Sequence, residues 1–277
     1  MIINLKSMAD MAYGPIGIFD SGVGGLTVAS SVKQLLPDET IIYFGDTAHL
    51  PYGDKSPEAI LYYSKKITDF LLEFNCKIIL AACNTVSATV WDELRGYTVQ
   101  RAVPVNVIDP VVKHVVQQYS SSFIGVIGTK NTINSGAYPK KINKANPDLK
   151  VSSLATPLLV PMIEEGFVYD DISNAIIRTY LSSPTLKKID TLILGCTHYP
   201  IIRNQIRKYY DFKVEVVDSA MIVAEHLRKM LDSEKLISTK EKSPDRFFVS
   251  DHTEYFGKIA GIFFENKITL EKIDLWK

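Results

Sequence analysis

The chain has 277 residues, enough for two hydrophobic cores, and its 31 Lys plus Arg balance 31 Asp plus Glu for a formal net charge of zero. A balanced charge with no long basic run excludes the electrostatic footprint of a nucleic-acid or anionic-membrane binder. Hydrophobic residues make up 46% of the sequence, but Gly, Pro and charge break them into strand-length and helix-length pieces, so no membrane span is expected.

Residues 1–14 lack the apolar stretch and small-residue cleavage site of a signal peptide and read as a short extension on a cytoplasmic protein. Pro15–Phe19 is predicted as a strand and Gly25–Leu35 as a helix, joined by the glycine-rich turn Asp20-Ser21-Gly22-Val23-Gly24-Gly25. Its spacing is not G-x-G-x-x-G, since Thr27 stands where a third glycine is needed, and no Gly-Lys-Ser/Thr follows to make a P-loop. Dinucleotide binding is therefore disfavoured, while the backbone N–H groups of such a turn suit a small anion such as a carboxylate. Asp20, at the strand end, either reaches a crevice or caps the helix, and the two readings weigh equally when the residue is taken alone.

Thr40–Phe44 is the next predicted strand. Pro51-Tyr52-Gly53-Asp54-Lys55-Ser56 reads as a turn, with Ser56 capping a helix that has Pro57 at its first position. In that helix Ile60, Tyr63, Ile67, Leu71 and Phe74 recur at spacings of three and four, a buried stripe. Lys77–Leu80 is a buried strand ending at Ala81-Ala82-Cys83-Asn84-Thr85, and Val86–Leu94 has helical spacing. Strands follow at Val103–Ile108, Phe123–Ile127 and Lys150–Leu154, with Thr129 and Thr132 in the turn after the second of them. Glu164 and Glu165 precede Gly166 at a helix end and, unaided, read as solvated surface charges. Thr191–Leu194 is a strand leading to Gly195-Cys196-Thr197-His198, then helical spacing from Ile201 to Tyr209, strands at Lys213–Val217 and Phe247–Val249, and a helix to Phe264.

This alternation implies parallel sheets covered by helices on both faces. Segments also recur: Ile16-Gly17-Ile18-Phe19 is echoed by Ile124-Gly125-Val126-Ile127 (124 − 16 = 108), Tyr43–Thr47 by Ser153–Pro157 (153 − 43 = 110), and Cys83 by Cys196 (196 − 83 = 113). The expectation is an α/β fold of two similar doubly wound parallel-sheet domains related by a pseudo-twofold, with the active site between them. The last strand and helix should return to the first domain. That gives one domain of residues 1–105 plus 219–277 and another of 106–218, with crossings near Asn106 and Asp218.

Three cysteines, Cys76, Cys83 and Cys196, form an odd set that argues against a disulfide framework. Cys196 and His198 raise a zinc reading, but no C-x-x-C or H-x-x-x-H pair supports it, and no metal is expected. A thiol titrates near about 8.5 and is lowered by a helix N-terminus, the setting expected for Cys83 and Cys196. One cysteine after an apolar strand is more often a small buried hydrophobe than a catalyst. Two at equivalent turns of related halves reverse that balance, whereas Cys76 lacks the setting and reads as structural. Asn84, Thr85 and Thr197 are helix caps or substrate ligands, and His198 lies two residues from a candidate acid/base.

Taken together, Phe19-Asp20-Ser21-Gly22-Val23-Gly24-Gly25, Pro51-Tyr52-Gly53, Ala82-Cys83-Asn84-Thr85, Val160-Pro161 with Glu164-Glu165-Gly166, and Gly195-Cys196-Thr197-His198-Tyr199-Pro200 strongly resemble the glutamate racemase family over Pro15 to Phe264. The resemblance implies cofactor-independent interconversion of L- and D-glutamate, supplying D-glutamate for bacterial peptidoglycan. It makes Cys83 and Cys196 the acid/base thiols, with Asp20, His198 and Glu164 as auxiliary polar residues. It places Asp20, Ser21, Tyr52, Gly53, Asn84, Thr85, Thr129, Thr132, Thr197 and His198 at substrate-binding positions. Val86 in place of a commoner alanine and Thr156 in place of a frequent cysteine are departures that leave the thiol pair untouched. The thiol pair alone does not set substrate length, so an aspartate racemase is the nearest rival. A non-catalytic small-anion binder with unreactive thiols and a zinc or thiol-redox protein are further alternatives. A homodimer is left open by the sequence.

Overall fold

Ten strands, all parallel, account for the sheets among the described residues: β1 (Ile16–Asp20), β2 (Ile41–Gly45), β3 (Ile78–Ala81), β4 (Val103–Asn106), β5 (Phe123–Gly128), β6 (Lys150–Ala155), β7 (Thr191–Gly195), β8 (Glu215–Val217), β9 (Arg246–Val249) and β10 (Leu270–Lys272). The structure, a computed structural model, describes residues 14–119, 122–238, 243–252, 254–264 and 268–277. The expectation of an N-terminal extension therefore falls outside the described residues, apart from Gly14. β1, β2, β3 and β7 are buried at every position, as apolar runs between two helical layers must be.

The strands form a six-stranded sheet, ordered β10-β9-β2-β1-β3-β4, and a four-stranded sheet, ordered β6-β5-β7-β8. The run β2-β1-β3-β4 matches β6-β5-β7-β8 strand for strand. The recurring segments thus fall on topologically equivalent strands, β1 with β5, β2 with β6 and β3 with β7. In each sheet the order reverses between the first and third strands of the unit, the switch point where open α/β sheets place ligands.

The helices among the described residues are α1 (Leu26–Leu35), α2 (Pro57–Glu73), α3 (Asn84–Thr89), α4 (Trp91–Thr98), α5 (Ile108–Gln118), α6 (Lys130–Asn134), α7 (Ala137–Ala145), α8 (Leu159–Glu164), α9 (Asp171–Leu181), α10 (Arg203–Tyr209), α11 (Ser219–Ser233) and α12 (Glu254–Phe263). None of the helices described is long and apolar enough to cross a membrane. Ser56 caps α2 by accepting from the Ala59 N–H at 3.3 Å, and Ile60, Ile67 and Leu71 are buried while Tyr63 and Phe74 are half-buried.

Three boundaries differ from expectation for local reasons. The helix predicted over Val86–Leu94 breaks at Val90, a buried β-branched residue at φ −132° that separates α3 from α4. β4 stops at Asn106, not Ile108, because the Asn106 Oδ1 accepts from the Ile108 and Asp109 N–H groups, both at 2.8 Å, and so starts α5. The segment after Cys196 forms a 3-10 turn over Tyr199–Ile202, with Pro200 inside it, before α10 begins at Arg203. After β8 the chain returns through α11, which packs on α1 and α5, and β9 pairs with β2. β10, beyond β9, had no strand expectation. The largest apolar cluster runs from Ile18 and Val28 through Val223 and Ala224 to Leu192 and Leu194, so both sheets share it.

Cys76 sits in the second core cluster, where burial pushes its thiol up to about 12. Its folded value lies above the unfolded one, so the stabilisation it gives is complete below about pH 8.5 and is lost as pH rises toward 12. Between these limits each such thiol should lower unfolding free energy by about 1.4 kcal/mol per pH unit. Urea unfolding at pH 8, 9 and 10 is expected to fall less steeply for Cys76→Ala than for the unsubstituted chain; parallel slopes would refute the buried neutral thiol.

Candidate active site

The carboxyl ends of the four central strands meet around one small cavity. Ser21 comes from the turn after β1, Cys83, Asn84 and Thr85 from the turn after β3, Thr129 from the turn after β5, and Cys196, Thr197 and His198 from the turn after β7. Leu50, Pro51, Tyr52, Gly53 and Val160 complete the wall. Both thiols are buried, Cys83 at 4% and Cys196 at 6% exposure, and neither forms a disulfide. The free space between these groups is about 10 Å3, roughly that of one water.

Each thiol has different polar company. The Cys83 thiol donates to Ser21 Oγ at 3.6 Å, and burial followed by the nearby Asp20 carboxylate pushes it up to about 12. This corrects the expectation that a helix N-terminus lowers it: α3 is only six residues long, and desolvation plus a like charge outweigh its terminal N–H groups. Cys196 precedes a 3-10 turn, not an α-helix, and its Sγ lies 3.7 Å from His198 Nδ1. The other ring nitrogen of His198 is bound to Glu164 Oε1. Burial opposes a charged imidazole, but the Glu164 carboxylate and Cys196 together hold His198 well above the ordinary histidine range. Both ring nitrogens are thus engaged, one by the carboxylate and the other by the sulfur.

Glu164 is thus not the solvated charge its sequence position suggested, whereas Glu165, one residue on, is exposed. Asp20 does both things its position allowed. Its Oδ2 accepts from the Gly25 and Gly22 N–H groups at 2.9 and 3.2 Å, closing the glycine-rich turn, and its Oδ1 accepts from Thr197 Oγ1 at 3.3 Å. Burial raises its pKa above the ordinary carboxylate value, against the opposing charge of His198 and the backbone donors. Asp20, Glu164 and Thr132 lie behind the cavity wall and do not line it.

Hydroxyls and one amide furnish the remaining polarity. Thr85, Thr129 and Thr132 form a triangle of oxygens at 2.9, 3.0 and 3.4 Å, which joins α3 to the turn after β5. Asn84 accepts at Oδ1 from Tyr138 at 2.7 Å, while its buried Nδ2 has no hydrogen-bond partner among the described residues. An unpartnered buried donor on a cavity wall is what an anionic ligand would satisfy. Tyr52 presents its ring only, because its hydroxyl donates to Asp46 at 2.6 Å. Asp46, fully buried, also accepts from Ser250 at 2.8 Å and faces His49 at 2.9 Å; nothing in the local sequence marked it as the anchor of the Tyr52 turn.

Glycines permit the closest approaches. A Cβ on Gly53 would lie 2.6 Å from Thr129 Cβ, and one on Gly24 would lie 2.5 Å from His198 Nδ1 and 2.6 Å from Thr197 Oγ1. Asn131 seals the rim by donating to the Tyr52 and Lys55 carbonyls at 3.1 and 2.7 Å. Among the described residues, no three His, Cys, Asp or Glu side chains converge as a metal would need.

A model of the family described as Asp/Glu/Hydantoin racemase matches residues 26–227. A glutamate racemase of Geobacter metallireducens is 43% identical over 263 residues, 93% of this chain and 95% of that one. The crystal structure of glutamate racemase from Francisella tularensis in complex with D-glutamate superposes with a TM-score of 0.87 at 40% identity, covering 96% of this chain and 99% of the other. Isoform RacE1 of glutamate racemase from Bacillus anthracis gives a TM-score of 0.89 at 33% identity, covering 95% and 98%.

Proposed function

Because the chain belongs to the Asp/Glu/Hydantoin racemase family, among its glutamate racemases, we propose that it interconverts L- and D-glutamate with Cys83 and Cys196 as opposed acid and base. The product D-glutamate would supply bacterial peptidoglycan. The observation that carries this reading is the pair of thiols on one cavity, each at the carboxyl end of a topologically equivalent strand, each with its own auxiliary group. We take residues 1–105 plus 219–277 and 106–218 as the two domains, which makes the cavity interdomain. With room for about one water, the cavity admits substrate only when the halves separate, and the Asn131 bonds to Tyr52 and Lys55 are the rim contacts that must open.

The working pair in this reading is the Cys83 thiol on one face and, on the other, Cys196 beside the His198 ring. Starting from L-glutamate, Cys196 removes the α-proton from one face and Cys83 delivers its own proton to the other; the reverse reaction exchanges the roles. Negative charge developing on the α-carboxylate is met by neutral donors, of which Asn84 Nδ2 is unpartnered and the Thr85, Thr129 and Thr197 hydroxyls are adjacent. Leu50, Pro51 and Val160 keep water from the intermediate. Asp20 holds the glycine-rich turn against Thr197 and acts on Cys83 through its charge, as Glu164 acts on Cys196 through His198.

The pH profile of kcat/KM is expected to be bell-shaped. The scheme needs one group that holds its proton and one that accepts one, so acid abolishes the base and alkali removes the proton of Cys83, held up toward about 12. A rate that rises monotonically as both thiols ionise would contradict the scheme. The function itself is tested by chiral chromatography of L-glutamate and L-aspartate incubated side by side with the protein. Both glutamate enantiomers should appear and aspartate should stay unchanged; racemised aspartate with intact glutamate would transfer the assignment to the rival substrate.

A further inference from the structure

Asp46, the residue after β2, is fully buried, takes no part in the proton transfers, and lies one hydrogen bond from the cavity wall. A buried carboxyl group must find donors for its oxygens. Its Oδ2 accepts from the Tyr52 hydroxyl at 2.6 Å, its Oδ1 accepts from Ser250 Oγ at 2.8 Å, and His49 Nδ1 lies 2.9 Å from both oxygens. Its backbone N–H donates to the Asp20 carbonyl at 3.0 Å. Asp46 therefore ties the end of β1 to the turn whose residues Leu50, Pro51, Tyr52 and Gly53 wall the thiol cavity.

What holds Asp46 comes from the far end of the chain. Ser250, just past β9, donates to Asp46, accepts at Oγ from the Ala48 N–H at 2.9 Å, and donates its own N–H to the Gly45 carbonyl at 3.1 Å. The next residue exchanges two bonds with Thr47: the Asp251 N–H donates to Thr47 Oγ1 at 2.8 Å, and that hydroxyl donates to the Asp251 carbonyl at 2.6 Å. Past β10, Trp276 meets the His49 ring edge-on, with centroids 4.5 Å apart and planes at 88°, and the Tyr63 ring at 5.1 Å. Tyr63, on α2, stacks on His49 at 4.0 Å and lies 5.8 Å from the Tyr52 ring. The C-terminal return thus grips the turn twice, through Ser250 on Asp46 and through Trp276 on His49.

We propose that Asp46 is a positioning residue for the thiol cavity. It acts through the Tyr52 hydroxyl, which pins the Leu50–Gly53 wall, and the C-terminal return sets it in place. The consequence for turnover rests on the racemase reading, whereas the consequence for access to the thiols does not.

Alkylation by iodoacetamide, read at each cysteine by mass spectrometry, tests the wall without substrate. Cys76, in the core, is the internal control for loss of the fold. Asp46→Ala and Tyr52→Phe should each speed labelling of Cys83 at least about fivefold, the equivalent of a lost buried hydrogen bond, and leave Cys76 protected. Each should also lower kcat/KM for glutamate in both directions. Both changes cut one link, so the double variant should exceed neither the labelling nor the kinetic loss of Asp46→Ala alone. Asp46→Asn, which keeps an oxygen for the Tyr52 hydroxyl, should stay close to the unsubstituted chain, and Trp276→Ala should speed Cys83 labelling by a smaller factor. Cys83 labelling unchanged in Tyr52→Phe, losses that multiply in the double variant, or Cys76 labelled together with Cys83 would overturn the proposal. An Asp46→Ala chain that fails to fold leaves Tyr52→Phe, Asp46→Asn and Trp276→Ala to decide it by the same readout. The expected labelling in a protein that does not racemise glutamate would uphold the positioning role and remove the functional reading.

Discussion

Replacing Cys83 or Cys196 with alanine is expected to lower kcat/KM for glutamate at least about 10³-fold in both directions, within the 10²–10⁴-fold span of a positioned acid or base. Each thiol is needed in both directions, as acid in one and base in the other, so neither change should spare a direction. Cys76→Ala should leave turnover nearly intact, because Cys76 packs in the core behind the first sheet and is absent from the cavity wall. Comparable losses in all three variants would mean that the substitutions act through stability. Retention of racemisation by either Cys83→Ala or Cys196→Ala would remove the two-thiol scheme.

Gly24→Ala should be the most damaging change that replaces no titratable side chain. The added methyl would fall 2.5 Å from His198 Nδ1 and 2.6 Å from Thr197 Oγ1, and both belong to the rigid turn after β7. The His198 ring must then move off Cys196 Sγ, and a displacement of about 1 Å at a reacting group costs roughly 10²-fold in rate. A matched control exists at Gly96, inside α4, where a Cβ would meet nothing within 4 Å. Gly96→Ala should leave turnover unchanged and stabilise the fold by about 0.5–1 kcal/mol. Full activity in Gly24→Ala, with unfolding unaltered, would show that the His198 position does not matter.

Much of this arrangement was legible in the residues because it rests on local chemistry. Continuous apolar runs ending in Asp20, Cys83, Thr129 and Cys196 are readable as buried parallel strands, and their offsets near 110 place β1, β2 and β3 opposite β5, β6 and β7. What escaped depends on contacts distant in sequence. Glu164 and Glu165 are indistinguishable as neighbours at a helix end; only packing of α8 against the turn after β7 turns one toward His198 and leaves the other in water. The Tyr52 hydroxyl is drawn away from the cavity by Asp46, itself fixed by Ser250 just past β9, about 200 residues later. The Cys83 thiol is pushed up, not down, because burial and Asp20 prevail over a short helix, a balance that exists only in the folded chain.

The central claim, that two separate thiols serve the two faces of one α-carbon, is tested most directly by initial-rate racemisation in deuterium oxide. Cys83, carrying a solvent-derived deuteron, should deliver it to the face opposite that from which Cys196 removed a proton. During the first few per cent of reaction, roughly the initial-rate regime, D-glutamate formed from L-glutamate should carry deuterium at its α-carbon while the remaining L-glutamate stays protiated. The reaction started from D-glutamate should show the mirror pattern. Deuterium washing into the starting enantiomer as fast as product forms, or early product that keeps the original α-proton, would contradict the two-thiol account.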